Sequence, residues 1–108
     1  MFRLCLVTAV GDCPLDRYVG FLRAAVAGGV DCVEWREKLQ PMARLAEVKV
    51  IQQALTVPLL INDYPAIASD IGAAGVHLGN SDMAVDEARA LIGPSKIIGL
   101  SVESEEDL

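Results

Sequence analysis

Glu34, Arg36 and Lys38 stand at alternate positions in the stretch VDCVEWREK, from Val30 to Lys38. In an extended chain they share one face, and three charges on one face of an apolar strand are costly unless a ligand or water meets them. The two bases suit anionic oxygens, a guanidinium as a planar fork and an ammonium as a point charge. Two acids, Asp63 and Asp82, each follow a short apolar run, and Asn62 sits beside the first. Carboxylates with an amide neighbour, in a chain with one histidine, suit a hard cation, Mg²⁺ above zinc. Mg²⁺ completes its shell with water and phosphate oxygens. Acids for the metal, bases for the oxygens and a hydroxyl at Ser101 together describe a site for a Mg²⁺–diphosphate. Each residue also has a plainer reading. Arg36 and Glu37 could be surface charge where a strand runs into a solvated turn. Asp63 and Asp82 could be N-caps of the helices after them, with Ser81 competing for the second. His77, inside an apolar strand, reads as a hydrogen-bonded core or near-site residue rather than a catalyst. Trp35, on the opposite face from the charges, reads as packing.

The elements that must position these groups alternate in type. Leu4 to Thr8 is a short apolar run, a first strand. Pro14 opens a helix whose apolar face is Tyr18, Phe21, Leu22, Ala25 and Val26, ended by Gly28 and Gly29. The second strand runs from Val30 to Arg36. A second helix spans Met42 to Leu55, with Leu45, Val48, Ile51 and Leu55 on its buried side. Pro58 to Ile61 is a third strand, ending in Asn62 and Asp63. A short helix, Pro65 to Ile71, stops at Gly72. Gly75 to Leu78 is a fourth strand, and a helix from Ala84 to Ile92 stops at Gly93-Pro94. Ile97 to Ser101 is a fifth strand, and the acidic stretch from Glu103 to Leu108 opens a further helix. This alternation predicts a parallel α/β fold in one domain spanning residues 1–108, with five strands and four helices. Each apolar strand delivers polar groups at its C-terminal end: Thr8; Arg36 and Lys38; Asn62 and Asp63; Gly79 through Asp82; and Ser101. In parallel α/β sheets that end is where ligands bind.

Composition bounds the partners. The chain of 108 residues is 53% apolar and 22% charged, a globular balance, and its net charge of −6 argues against a nucleic-acid surface. A local basic pair can still hold an anion inside an acidic protein. The three cysteines are odd in number and form no C-x-x-C pair, so a disulfide framework is not expected and a reducing, cytoplasmic setting is. The N-terminal apolar run reads as a strand rather than an export signal, and no stretch approaches a membrane span.

Four motifs, VEWREK, INDY, GVHLGNSD and IIGLSVES, in this order and at these spacings, resemble the thiamine-phosphate synthase family. The resemblance covers essentially the whole chain and about the first half of that family's (β/α)8 TIM barrel. It implies a transferase of thiamine biosynthesis. The family joins 4-amino-2-methyl-5-hydroxymethylpyrimidine diphosphate to a thiazole phosphate, with Mg²⁺ assisting loss of diphosphate. Residue by residue, it implies pyrimidine-diphosphate contacts at Glu34, Arg36, Lys38, Asn62 and Ser101, and metal ligands at Asp63 and Asp82. Glu37, in the same strand exit, joins the expected contacts. Glu34 stands where the family usually has Gln, and must face the pyrimidine or pair with a base. Asn80 also replaces a usual Gln. The thiazole-phosphate loop and the late glycine-rich phosphate sites have no counterpart, so little activity is expected of this chain alone. Two alternatives stay open. One is a non-catalytic half-barrel that closes by forming a homo-oligomer or by pairing with a complementing half. The other is a protein like the related thiazole tautomerase, over which the retained Asp63, Asp82, Arg36 and Lys38 favour the synthase.

Overall fold

Short apolar runs cut by glycine and proline become strands, and the three-to-four spaced stretches between them become helices, in a computed structural model that describes residues 2–38, 40–79 and 83–102. Asn80, Ser81, Asp82 and the acidic stretch from Glu103 lie outside the described residues. The elements are β1 (Cys5–Thr8), α1 (Leu15–Ala27), β2 (Cys32–Trp35), a 3-10 turn (Pro41–Arg44), α2 (Leu45–Ala54), β3 (Leu59–Asn62), α3 (Pro65–Ile71), β4 (Gly75–Leu78), α4 (Val85–Ile92) and β5 (Ile97–Leu100). The chain forms two compact units, Met1–Leu59 and Leu60–Leu108. Every strand pair within them is parallel, giving the expected α/β alternation. Among the described residues no helix is long and apolar enough to cross a membrane.

In the first unit β1 lies beside β2 with Cys5 opposite Cys32, Val7 opposite Glu34 and Thr8 opposite Trp35. The Asp31 carboxylate pins the start of β1 by accepting the N–H groups of Arg3 at 2.8 Å and Leu4 at 3.0 Å. Those two donors hold its carboxyl below the ordinary aspartate value. Regular strand geometry in β2 ends at Trp35, one residue before the sequence predicts, although the Arg36 N–H still donates to Thr8 O at 2.7 Å. Helix α1 buries Tyr18 and Leu22, but Phe21, expected on the same face, stays 60% exposed. Each residue turns a helix by about 100°, so Phe21 falls off the line joining Tyr18 and Leu22. The helix ends where Gly29 takes φ +120°, a conformation open to glycine, and Val30 N–H returns to Ala25 O at 3.1 Å. The expected second helix is divided. Gln40 adopts φ +49°, Pro41 starts a single 3-10 turn, and α2 proper follows with Val48 and Ile51 buried. Leu55 has left the helix and is extended at its C-cap.

The second unit orders β3, β4 and β5 side by side, with Asn62 opposite His77 and His77 opposite Gly99. Ile61, Ile67, Val76 and Leu78 are fully buried and make its core. Gly75 is required by contact: a Cβ there would lie 2.1 Å from the Ile97 carbonyl oxygen. Helix α3 starts at Pro65 and stops at Gly72, φ +63°, as its sequence predicts. Arg89, late in α4, donates through Nη1 to Gly93 O at 3.1 Å and also to Lys96 O, tying down the turn into β5.

Candidate functional site

In the first unit the candidate residues cluster where β2 ends. Arg36 and Lys38 are exposed, whereas Glu34 (8% exposed) and Glu37 (7%) are buried. The alternation seen in the sequence thus separates two environments. Cys32 and Glu34 share a face with Cys5 and Val7 of β1, while Val33 and Trp35 fill the opposite side and are fully buried. Glu37 is held by Arg44, whose Nε lies 3.9 Å from its Oε2. The same guanidinium donates to Glu47 Oε2 at 3.4 Å and to Gly11 O at 3.2 Å. One arginine therefore joins the loop after β1, the exit of β2 and the first turn of α2. Next to it the Tyr18 hydroxyl donates to Thr8 Oγ1 at 3.0 Å. Burial raises the Tyr18 pKa, the Thr8 hydrogen bond opposes this, and the negative charge of Glu37 adds to the rise. Neither Tyr18 nor Arg44 stands out in the sequence. Tyr18 hides in an apolar helical stripe, and Arg44 in what reads as an ordinary first helical turn.

In the second unit the groups converge at the C-terminal ends of three adjacent strands. Asn62 closes β3 and is buried. Asp63 follows with φ +70°, and its N–H donates to His77 O at 2.8 Å. A non-glycine residue in that region carries strain that surrounding structure must hold in place. The plainer reading of Asp63 as a helix cap is not realised: the N-cap of α3 is Tyr64, and no side chain caps it. The N-cap of α4 is Ala84, and the alternative caps Ser81 and Asp82 lie outside the described residues. Ser101 leaves β5 with its N–H on Leu78 O at 2.9 Å, and its Oγ shares a 2.8 Å hydrogen bond with His77 Nε2. Gly99 makes that bond possible. A Cβ on it would sit 2.6 Å from His77 Nδ1, so the bare backbone lets the ring lie across β5 and reach Ser101. A glycine inside a strand pattern marks such a close approach, a signal that Gly99 carries in the sequence.

Asp63 is the candidate metal ligand among the described residues, and Asp82 lies outside them. No group of three or more His, Cys, Asp or Glu residues is gathered among the described residues. Asp63 offers a cation one carboxylate, and Mg²⁺ takes one or two and fills its shell with water and phosphate oxygens.

Comparison with known proteins agrees with the fold and with the family resemblance. The sequence profile of the thiamine monophosphate synthase family matches residues 4–108. Thiamine-phosphate synthase of Vibrio parahaemolyticus is 46% identical over 112 residues, covering 99% of this chain and 54% of the relative. The Chlamydia caviae thiamine-phosphate synthase is 39% identical, with 99% of this chain and 52% of the relative covered. A solved thiamine phosphate pyrophosphorylase from Pyrococcus furiosus, a TIM-barrel enzyme, superposes with a TM-score of 0.76 at 31% identity, covering 95% of this chain and 52% of that one. The chain thus spans about half the length of the relatives it matches, and its parallel βα repeats correspond to about half of a (β/α)8 barrel. On sequence and fold together, the chain belongs to the thiamine monophosphate synthase family.

Proposed function

We propose that this chain carries the pyrimidine-diphosphate and Mg²⁺ residues of a thiamine-phosphate synthase. The reaction joins the pyrimidine methylene to a thiazole nitrogen and releases diphosphate. Its slow step breaks the methylene C–O bond, with the electron pair leaving on diphosphate. Arg36 and Lys38, exposed beyond β2, take the diphosphate oxygens and stabilise the charge that builds there. Glu34, buried on the same strand, faces the pyrimidine. Glu37 belongs to the same set through its ion pair with Arg44, which fixes the exit that carries both bases. Asn62 orients the pyrimidine, and Ser101 donates to the diphosphate with its hydroxyl aimed by His77. Mg²⁺, held by Asp63 and Asp82, supplies Lewis-acid neutralisation of the diphosphate oxygens when bound. The thiazole phosphate is bound by residues of the barrel's other half. Further βα units, from a complementing half or a second copy, cover the apolar residues now exposed on β1 and β5, among them Val7, Ile97 and Leu100.

The observation that carries this reading is Asp63. It sits past a strand end in a strained backbone conformation, half-buried, one residue before the N-cap of the helix that follows. Inorganic diphosphate with Mg²⁺ is the probe, and Trp35, the chain's one tryptophan, reports on β2 through its fluorescence. The expected result is saturable binding that needs Mg²⁺ and that Asp63→Ala abolishes. Binding equally tight without Mg²⁺, or unchanged in Asp63→Ala, removes the metal role.

A further inference from the structure

Cys5 and Cys32 are register partners on the adjacent parallel strands β1 and β2. Directly opposed residues project to the same face, and neighbouring strands lie roughly 4.8 Å apart. That spacing falls within the range of roughly 4.4–6.8 Å that a disulfide demands between Cα atoms. The Cys5 side chain also helps to raise the pKa of the Cys32 thiol, in keeping with that register. The environments of the two sulfurs differ. Cys5 is exposed on the edge strand, whereas Cys32 is fully buried.

We propose that Cys5 and Cys32 form an oxidisable pair, in which a hydroperoxide oxidises the Cys5 thiol and Cys32 then closes an intramolecular disulfide. In the first step the Cys5 sulfur attacks the peroxide O–O bond, giving Cys5–SOH and releasing an alcohol, or water from hydrogen peroxide. In the second, the Cys32 sulfur attacks the sulfenic sulfur, the S–S bond forms, and the hydroxyl departs as water with the Cys32 proton. The two electrons lost by the thiols reduce the peroxide. A thiol reductant reverses the product. Exposure decides the order, since peroxide reaches Cys5 and not Cys32. Burial, with lesser contributions from Cys5 and the negative charges of Asp31 and Glu34, pushes the Cys32 thiol up to about 12, which keeps it from reacting with peroxide itself and makes the closing step the slow one. The bridge fastens the edge strand to β2, on the face that next presents Glu34. This assignment concerns the chain without the further βα units proposed above, which would cover Cys5 along with Val7 on the same face.

Treatment of the full chain with hydrogen peroxide, followed by alkylation and intact mass, tests it. The expected product has lost two hydrogens and keeps one alkylatable thiol, Cys13. Digestion with trypsin and an Asp-directed protease separates Cys5 from Cys13 at Asp12 and links Cys5 to Cys32. Cys32→Ala leaves a Cys5 sulfenic acid that a cyclic 1,3-diketone traps. Cys5→Ser, at an exposed position, leaves Cys32 reduced. A Cys5–Cys13 link, a disulfide between two chains, sulfinic acid on Cys5 with Cys32 still reduced, or no reaction would each overturn the pair.

Discussion

Ser101 illustrates how much a single side chain owes to its neighbours. Its hydroxyl could rotate freely at a strand end, but the 2.8 Å hydrogen bond to His77 Nε2 restricts where it points. A hydroxyl aimed at a charged oxygen contributes more than one that must first be ordered, and hydrogen bonds to charged groups are worth about 1.5–3 kcal/mol against about 1 for neutral ones. Ser101→Ala is therefore expected to weaken Mg²⁺–diphosphate binding by roughly tenfold or more, and His77→Ala by roughly threefold, because the alanine at 77 removes only the guide. Titration calorimetry with the two variants orders them. A His77→Ala loss as large as that of Ser101→Ala would mean that the imidazole touches the ligand itself. Arg44 stands in a similar relation to the exit of β2, contacting Glu37, Glu47 and Gly11 O from one guanidinium. Its substitution would release Glu37 as a buried carboxylate without its cation, a change costly for the fold rather than the ligand.

At the scale of elements, Gly99 shows how one strand shapes a residue on the next. Gly99→Ala would place a methyl 2.6 Å from His77 Nδ1, so the ring must swing and the bond to Ser101 is lost. The expected outcome is diphosphate affinity reduced to that of His77→Ala, with the chain still folded by circular dichroism. Wild-type affinity in Gly99→Ala would show that the ring position is immaterial. The strands and helices themselves were legible from spacing. α3, β4 and the glycine stops at Gly72 and Gly93 fall where the pattern puts them, because Pro65, Gly72 and Gly93 act locally. The errors arise where the helical turn angle or a single backbone conformation outweighs apolar spacing. Phe21 lies beside the buried stripe of α1 rather than in it. The start of α2 tightens into a 3-10 turn because Gln40 turns left-handed before Pro41. The candidate site was legible as residue types at strand ends. The partners that orient those residues were not, because Arg44 with Glu37 and His77 with Ser101 are long-range pairs that no local pattern encodes. Glu37, readable only as surface charge or ligand contact, turns out to be buried.

Across the whole molecule, titration brackets the stability. The chain carries a net charge of −6 at pH 7, so raising the pH adds negative charge to an already acidic protein. Cys32 sharpens this. Its folded pKa is raised from 9.0 to about 12, chiefly by burial. A raised folded value means that the native state keeps a proton the unfolded chain gives up. The contribution is then fully present below about pH 9 and is lost as pH climbs toward 12. Tyr18, also raised by burial from its ordinary 10.0, acts in the same direction at higher pH. Asp31 works at the other end. Its carboxyl is lowered by the N–H groups of Arg3 and Leu4, so its contribution is present above its ordinary value of 3.8 and is lost as pH falls through the folded value. Urea unfolding of the reduced protein is expected to show a broad neutral optimum and an alkaline decline on the order of 1 kcal/mol by about pH 10.5. Cys32→Ala, though less stable at neutral pH, should decline more gently between about pH 9 and pH 10.5, because the group that discriminates between the states is gone. Parallel alkaline slopes for wild type and variant would mean that the Cys32 thiol ionises as readily folded as unfolded, and the alkaline loss would then belong to Tyr18 and the mounting net charge.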